Sequence, residues 1–425
     1  MTREINFGIG KVMTSDKETH YDGPFYLILL FIFFDYARPQ SLIPSISLLK
    51  IGMVLQLLLL FSLILRSNVV KLRNVQSRYF IALLLLMTIH VPIATNNYWA
   101  FQTWKVVALY FIVYLSIVSF VNSYTKIEKV IHIWITINLF CAVYGSLHGG
   151  KIPGSSFLGD ENDFALVMDM TIPLAFFMAL KSDSMRTKLF YIGAICIFVM
   201  ACVISFSRGG FIGLVVAAIY CWYHIQRKIL AAVLIGMLIG IMFLSAPQGY
   251  GDRLKSITEQ NVEVGTGEAR WYSWKLAWRM FLDHPIIGVG PGNYSFFTED
   301  YQTEDELLNR NAYKRDMWGR ATHSLHFTLL SELGLIGVLL FYGMAYVSYR
   351  DLKKLRQKDV KHHSIEATQL ITFRFLSHAL NGALITFLVT ASFISVLDYP
   401  HFWILIAIAT ATTNAFERFN ASIRS

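Results

Sequence analysis

The chain has 425 residues, of which 55% are hydrophobic and only 15% charged. Soluble domains average about 45–50% apolar and about 25% charged residues, so these proportions exclude an ordinary cytosolic enzyme and a disordered scaffold alike. The net charge of +9 does not signal nucleic acid here, because on a membrane chain basic residues gather in cytoplasmic loops.

A hydrocarbon core ~30 Å thick takes about 20 mostly apolar residues per helical crossing. Apolar runs between charged or turn-rich breaks predict twelve helices. The first six run from Pro24 to Phe34, Ile43 to Leu65, Tyr79 to Ile93, Val106 to Val121, Val130 to Leu147 and Phe164 to Leu180. The others run from Leu189 to Phe206, Gly210 to Tyr223, Ile229 to Leu244, Leu325 to Tyr349, Leu380 to Val396 and Phe402 to Ala415. The first 22 residues are polar and of mixed charge, and no small-residue cleavage site follows the first apolar run, so that span is expected to stay as an anchor. Cys141, Cys196, Cys202 and Cys221 lie inside apolar runs without CxxC spacing, which indicates core packing rather than disulfides or a thiolate metal site.

Loop charge sets the expected orientation. Short loops after even-numbered helices carry 18 Lys and Arg, those after odd-numbered helices only 4. The basic side stays in the cytoplasm, which puts both termini there and the long segment from Ala246 to Thr322 outside. The expected fold is thus an all-α polytopic membrane protein with about twelve transmembrane helices and one large periplasmic loop containing amphipathic helices. Residues 1–245 hold helices one to nine, 246–322 the periplasmic loop domain, and 323–425 the last three helices. Within the loop, Trp271, Trp274, Trp278 and Phe281 recur on one helical face, beside Arg270, Lys275 and Arg279. Such a stripe reads first as an interfacial anchor. The following Gly288, Gly290, Pro291 and Gly292 mark a tight turn, a weak match to a nucleotide-binding glycine loop because strand and third glycine are missing.

Three places combine residues suited to chemistry. Arg208, in Ser205-Phe206-Ser207-Arg208-Gly209-Gly210, lies between two apolar helices. A charge at membrane depth costs ~2.5–3.5 kcal/mol on insertion scales, so this arginine either snorkels to lipid phosphates or uses its planar fork to hold a phosphate or diphosphate. His323, in Arg320-Ala321-Thr322-His323-Ser324-Leu325-His326, is expected in the first turn of a helix whose dipole favours the neutral, proton-accepting imidazole. His326 and Glu332 are candidate companions for a metal, but no third ligand has convincing spacing. The acidic turn Asp160-Glu161-Asn162-Asp163 offers a helix cap through Asn162 or Asp163, or a cluster for sugar hydroxyls or a cation. Asp35 and Arg38 are expected to pair at the end of the first helix, and His362-His363 reads as solvated surface.

In order and sidedness these phrases resemble the O-antigen ligase family. They are the Ser-Arg-Gly-Gly turn at Arg208, the Arg-Trp-rich loop helix, His284-Pro285-Ile286-Ile287-Gly288-Val289-Gly290-Pro291-Gly292-Asn293-Tyr294, and His323-Ser324-Leu325 leading to Glu332-Leu333-Gly334. The resemblance spans Gly159 to Gly337. It implies an inner-membrane glycosyltransferase that takes a glycan from undecaprenyl diphosphate and joins it to lipid A core oligosaccharide on the periplasmic face, with inversion and without a metal or other cofactor. By the same resemblance, His323, Arg208 and Arg270 are the catalytic set. Arg279 competes with Arg270, and Asp160, Asn162, His326 and Arg38 are expected to bind substrate. Ser324 departs from the family, where many members have Asn after the histidine. The phrase Asp35-Tyr36-Ala37-Arg38-Pro39-Gln40 is similar to a subgroup linked to exopolysaccharide and protein O-glycosylation. A polysaccharide polymerase and a protein O-oligosaccharyltransferase are therefore the rival readings. A flippase is a third, disfavoured because ionisable residues collect on one face rather than along a crossing path.

Overall fold

The computed structural model describes residues 21–42, 49–66, 72–225, 228, 266–308, 317–357 and 365–424, and every regular element among them is helical. The principal helices are α1 (Gly23–Tyr36), α2 (Ile51–Leu65), α3 (Val75–Ile93), α4 (Asn97–Phe120), α5 (Tyr124–Leu147) and α6 (Glu161–Lys181). They continue with α7 (Met185–Ile204), α8 (Arg208–Tyr223), α9 (Thr266–Asp283), α10 (Leu325–Lys354), α11 (Ile365–Thr390) and α12 (Pro400–Arg424). Eleven of the twelve expected helices coincide with one of these; the ninth, from Ile229 to Leu244, lies outside the described residues. Among the described residues seven helices, α3 to α7, α10 and α11, are long and apolar enough to cross a membrane, and α1, α2 and α8 are shorter apolar helices. α12 is long but more polar, with Thr410 and Thr412 bonding back to the carbonyls of Ile406 and Ile408, a local arrangement that hides hydroxyls in an apolar interior.

Short connections make successive helices antiparallel, so the bundle has two distinct ends. At the far end Asp22, before α1, pairs with Lys126 of α5 (3.2 Å), and Glu128 of α5 pairs with Lys181 of α6 (2.5 Å). The near end is where α6, α8 and α10 begin, each on a capping side chain: Asp160, Ser207 and Ser324. α6 is the hub. It is apolar all round and buried along most of its length, as a helix enclosed by others must be, and it packs against α7, α8 and α11. Gly213 of α8 makes one of these approaches possible, since a Cβ there would lie 2.0 Å from Thr390 Oγ1 and 2.4 Å from the Asp169 carboxylate. Leu57, Phe61, Ile64, Leu85, Ile89 and Ile93 remain exposed on the outside of α2 and α3, as expected of side chains that meet lipid rather than water.

Several expectations need correction. α11 starts at Ile365, well before Leu380, because Thr372, Arg374, Ser377 and His378 interrupt the apolar pattern yet sit within the helix. It stops at Thr390 in a single 3₁₀ turn, Ala391–Phe393. Cys141, Cys202 and Cys221 are buried, but Cys196 faces outward. On α9 the buried face is Tyr272, Ser273, Leu276, Ala277 and Met280, packed with Val289, Tyr294 and Met317, while Trp271 and Trp278 are 69% and 47% exposed. The tryptophan stripe is thus largely the outer face of that helix.

The glycine-rich turn after α9 has a mechanical role. α10 breaks at Gly334 (φ 61°), and the freed backbone pairs with the turn: Val289 N donates to Ser331 O (2.9 Å), Gly290 N to Glu332 O (2.9 Å) and Leu335 N to Pro285 O (2.8 Å). The Glu332 carboxylate accepts from Gly292 N (2.8 Å) and Tyr294 N (3.2 Å), so it is committed to this turn rather than available to a metal. Gly288 has φ +77°, and a Cβ there would fall 2.4 Å from the Glu332 carbonyl carbon. Gly288→Ala is expected to cost more than about 1 kcal/mol, whereas Gly319→Ala, also at positive φ but in open space, costs only the backbone part. Thermal unfolding of the two purified variants checks this; equal shifts would show that the close approach contributes nothing.

Candidate active site

The near end is built from the caps upward. Asp160 Oδ1 accepts from both the backbone N and the side-chain Nδ2 of Asn162 (2.8 Å each). Ser207 Oγ donates to Asn162 Oδ1 (2.7 Å) and accepts from Gly210 N (2.9 Å), which ties the start of α6 to the start of α8. The cap of α6 is therefore Asp160, not Asn162 or Asp163. Of the other acids in that turn, Glu161 pairs with Lys151 (2.9 Å) and Asp163 accepts from Tyr399 OH (3.1 Å), so no open three-carboxylate cluster exists.

Arg208 is the first residue of α8 and is exposed. It stands at the positive end of its own helix dipole, an unfavourable place for a cation, and makes no hydrogen bond or ion pair with the described residues. Phe206, two residues earlier, has φ +51°. Four non-glycine residues in the described chain take positive φ: Arg38, Lys50, Phe206 and His323. All four lie at this end, and strained backbone of this kind gathers at sites where position matters more than comfort.

Arg270 reaches the same place through aromatic packing. One turn along α9, Trp274 stacks on Phe327 (centroids 5.2 Å apart) and lies 6.3 Å from the Phe393 ring. Phe393 in turn presses on Gly209, where a Cβ would come within 2.8 Å. Burial lowers the Arg270 pKa from its ordinary value; Asp160 opposes the shift and Arg208 adds to it, so all three share one field. Arg270 remains a cation and, like Arg208, makes no hydrogen bond or ion pair with the described residues.

His323 has φ +50° and lies just before the capping residue of α10, not within its first turn as expected. Its backbone is fixed by Thr322, whose hydroxyl bonds with Ser395 Oγ (2.9 Å) and Thr328 Oγ1 (2.6 Å) and whose carbonyl accepts from Trp274 Nε1 (3.1 Å). The ring keeps an exposed side, yet the surrounding protein lowers its pKa from 6.5, with Arg270 next in effect, Asp160 opposing and Arg320 adding. These neighbours take the place of the helix dipole in keeping the imidazole neutral. Ser324, the departure from the family phrase, caps α10 by accepting from Phe327 N (3.5 Å), a task that Asn performs equally well.

The remaining expected residues divide clearly. Asp160 and Asn162 belong to the cluster. Arg279 does not: Glu306 accepts from both its terminal nitrogens (2.7 and 3.2 Å) and Tyr301 O from one (2.7 Å), a closed arrangement inside the loop region. His326 is also engaged, with Nε2 on Ser392 Oγ (2.8 Å) and Nδ1 on Tyr342 OH. Its ring nitrogens are used within the bundle. Arg38 bonds to Ser156 and lies over the Phe157 ring (5.5 Å) instead of forming an ion pair with Asp35, at the edge of the site. Sequence reasoning quoted Arg320 but gave it no part, although its charge bears on His323; its place within the Arg-Ala-Thr-His phrase was the available signal.

Residues 192–342 match the family described as O-antigen ligase. Over this region the chain is similar to the O-antigen ligase family. The match contains Arg208, Arg270 and His323, with the turn that docks on Glu332. The O-antigen ligase family is one of membrane glycosyltransferases of the ligase and polymerase type, and together with the apolar helices it indicates a multi-pass bacterial membrane protein. A comparison with curated proteins finds no match.

Proposed function

We propose that the near end of the bundle transfers a glycan from undecaprenyl diphosphate to a hydroxyl of lipid A core oligosaccharide, on the periplasmic face of the inner membrane. One observation carries this reading. Two arginines that make no hydrogen bond or ion pair with the described residues share a field with an exposed histidine whose pKa is lowered, and among the described residues Asp160 is the carboxylate that offsets them. A cluster of that charge suits a diphosphate, and Arg presents the planar fork whose N–H groups phosphate oxygens accept. The excess of basic residues in the loops at the far end supports the periplasmic orientation.

In the proposed step, His323 takes the proton of the acceptor hydroxyl while its oxygen attacks the anomeric carbon. The bond from that carbon to the diphosphate oxygen breaks, and the leaving diphosphate carries away the electron pair. Arg208 and Arg270 stabilise the negative charge that collects on it. Attack from the side opposite the leaving group inverts the anomeric configuration.

The test is an assay of purified protein with a lipid diphosphate glycan and three acceptors: lipid A core, a second lipid-linked glycan, and a Ser- or Thr-containing peptide. Transfer to lipid A core is expected, and undiminished by chelator because the arginines supply the charge stabilisation. Preference for either of the other acceptors would keep the donor chemistry and replace the acceptor; no transfer to any would overturn the reading. A pH profile adds a finer check. Activity requires neutral His323, so it stays level through neutrality and falls only as the pH drops below the lowered pKa. Removing the Arg270 charge raises that pKa, so the residual activity of Arg270→Gln is expected to fall off at a higher pH than wild type.

A further inference from the structure

The far end of the bundle holds a second basic cluster with unpartnered polar atoms, which the transfer reaction does not use. It forms where α8 ends, α11 passes and the chain leaves α10. Arg356, two residues past α10, donates through Nε to Ser377 Oγ (2.8 Å), while its terminal Nη2 is buried without a hydrogen-bond partner. Next to Ser377, the Nδ1 of His378 is likewise buried and unpartnered. Tyr220 OH donates to the His378 carbonyl (3.1 Å), and His224 meets the His378 ring edge-on at 4.4 Å. His224 Nδ1 is occupied by the Tyr220 carbonyl (2.8 Å), and Phe177 stacks on His378 at 5.2 Å, closing one side.

Among the described residues the charge balance of this cluster is one-sided. The ionisable neighbours acting on His378 are Arg356, His224 and Arg374, all basic. Asp351, the nearest of the described carboxylates in sequence, is spent on Arg350 (2.9 Å) and Lys354 (3.1 Å). No described Asp or Glu pairs with Arg356. Holding part of a guanidinium away from water without a counter-charge is unfavourable, and buried polar atoms without partners mark places where water or an ion belongs. Nη2 of Arg356 and Nδ1 of His378 are two such atoms, on side chains that flank one serine. A guanidinium fork assisted by an imidazole N–H matches a tetrahedral oxyanion better than a spherical halide.

We propose that Arg356 and His378 bind a phosphate group at the membrane face opposite the transfer site, supplied either by an anionic phospholipid headgroup or by free inorganic phosphate. The site would let the headgroup composition or phosphate level on that face stabilise the packing of α8 and α10 on α11. Its existence does not depend on the glycosyl-transfer reading.

The experiment uses the full chain in phosphatidylcholine nanodiscs, in an Arg208→Gln/Arg270→Gln background that silences the near-end cations. Thermal unfolding is followed while inorganic phosphate is titrated against chloride at matched ionic strength, and again as phosphatidylglycerol replaces part of the phosphatidylcholine. A saturable rise in Tm is expected with one of the two probes, shifted to at least about tenfold weaker binding by Arg356→Gln, as loss of a charge-assisted hydrogen bond implies, and partly restored by Arg356→Lys. A rise with phosphate identifies the free anion; a rise with phosphatidylglycerol alone identifies the headgroup. No Arg356-dependent rise with either probe overturns the proposal. Should Arg356→Gln not fold, His378→Gln is read in its place: weakened binding supports the site, and an unchanged response sinks it.

Discussion

His323→Ala is expected to reduce glycan transfer by roughly 10²–10⁴-fold, the usual worth of a positioned general base, which is about 3–5 kcal/mol of transition-state stabilisation. The protein should remain folded, because the His323 side chain makes no hydrogen bond with the described residues, while Thr322 on one side and Ser324 on the other hold the backbone. The positive φ of His323 supplies a control that separates base from backbone. Asn tolerates this conformation far better than most residues, so His323→Asn should keep or slightly raise thermal stability and yet be as inactive as Ala. Turnover and unfolding temperature measured on the same preparations decide the point. Near-wild-type transfer by His323→Asn would mean that the site needs the turn and not the imidazole.

How much of this was legible beforehand follows from what kind of signal each feature leaves. Apolar runs reveal helices that are greasy throughout, so α6 and α7 were plain. The onset of α11 was not, because Thr372 and Ser377 are polar residues buried inside it. Arg208 and His323 stand out in sequence because a charge or an imidazole beside an apolar run needs a reason. Their meeting point does not: it depends on the Asn162–Ser207 hydrogen bond and on Phe393 fitting against Gly209, contacts between residues 45 and more positions apart. The same limit explains Arg279 and His326, which looked equivalent to Arg270 and His323 by composition. Only the placement of Glu306 and of Tyr342 and Ser392 shows that their polar atoms are already used. The far-end cluster left no motif, since Tyr220, Arg356 and His378 come from three separate segments.

The division between the two loop-helix arginines leads to the sharpest comparison. Arg208→Lys and Arg270→Lys each keep a positive charge but lose the planar fork, and each is expected to lower transfer by about 10²–10³-fold, as removal of one preorganised transition-state donor does elsewhere. Because both act on one leaving diphosphate in the proposed step, the double substitution should cost less than the sum of the two, with a coupling of about 0.5–3 kcal/mol in a double-mutant cycle. Arg279→Lys should behave differently. Its partner is Glu306, in a region held together by that pair, so the loss belongs in the unfolding temperature and not in turnover. A catalytic defect of Arg279→Lys equal to that of Arg270→Lys would reverse their assignment, and strict additivity of Arg208 and Arg270 would separate the two arginines from a common ligand. The cycle thus tests the convergence directly: two cations that repel each other have a reason to be held together only if an anion comes between them.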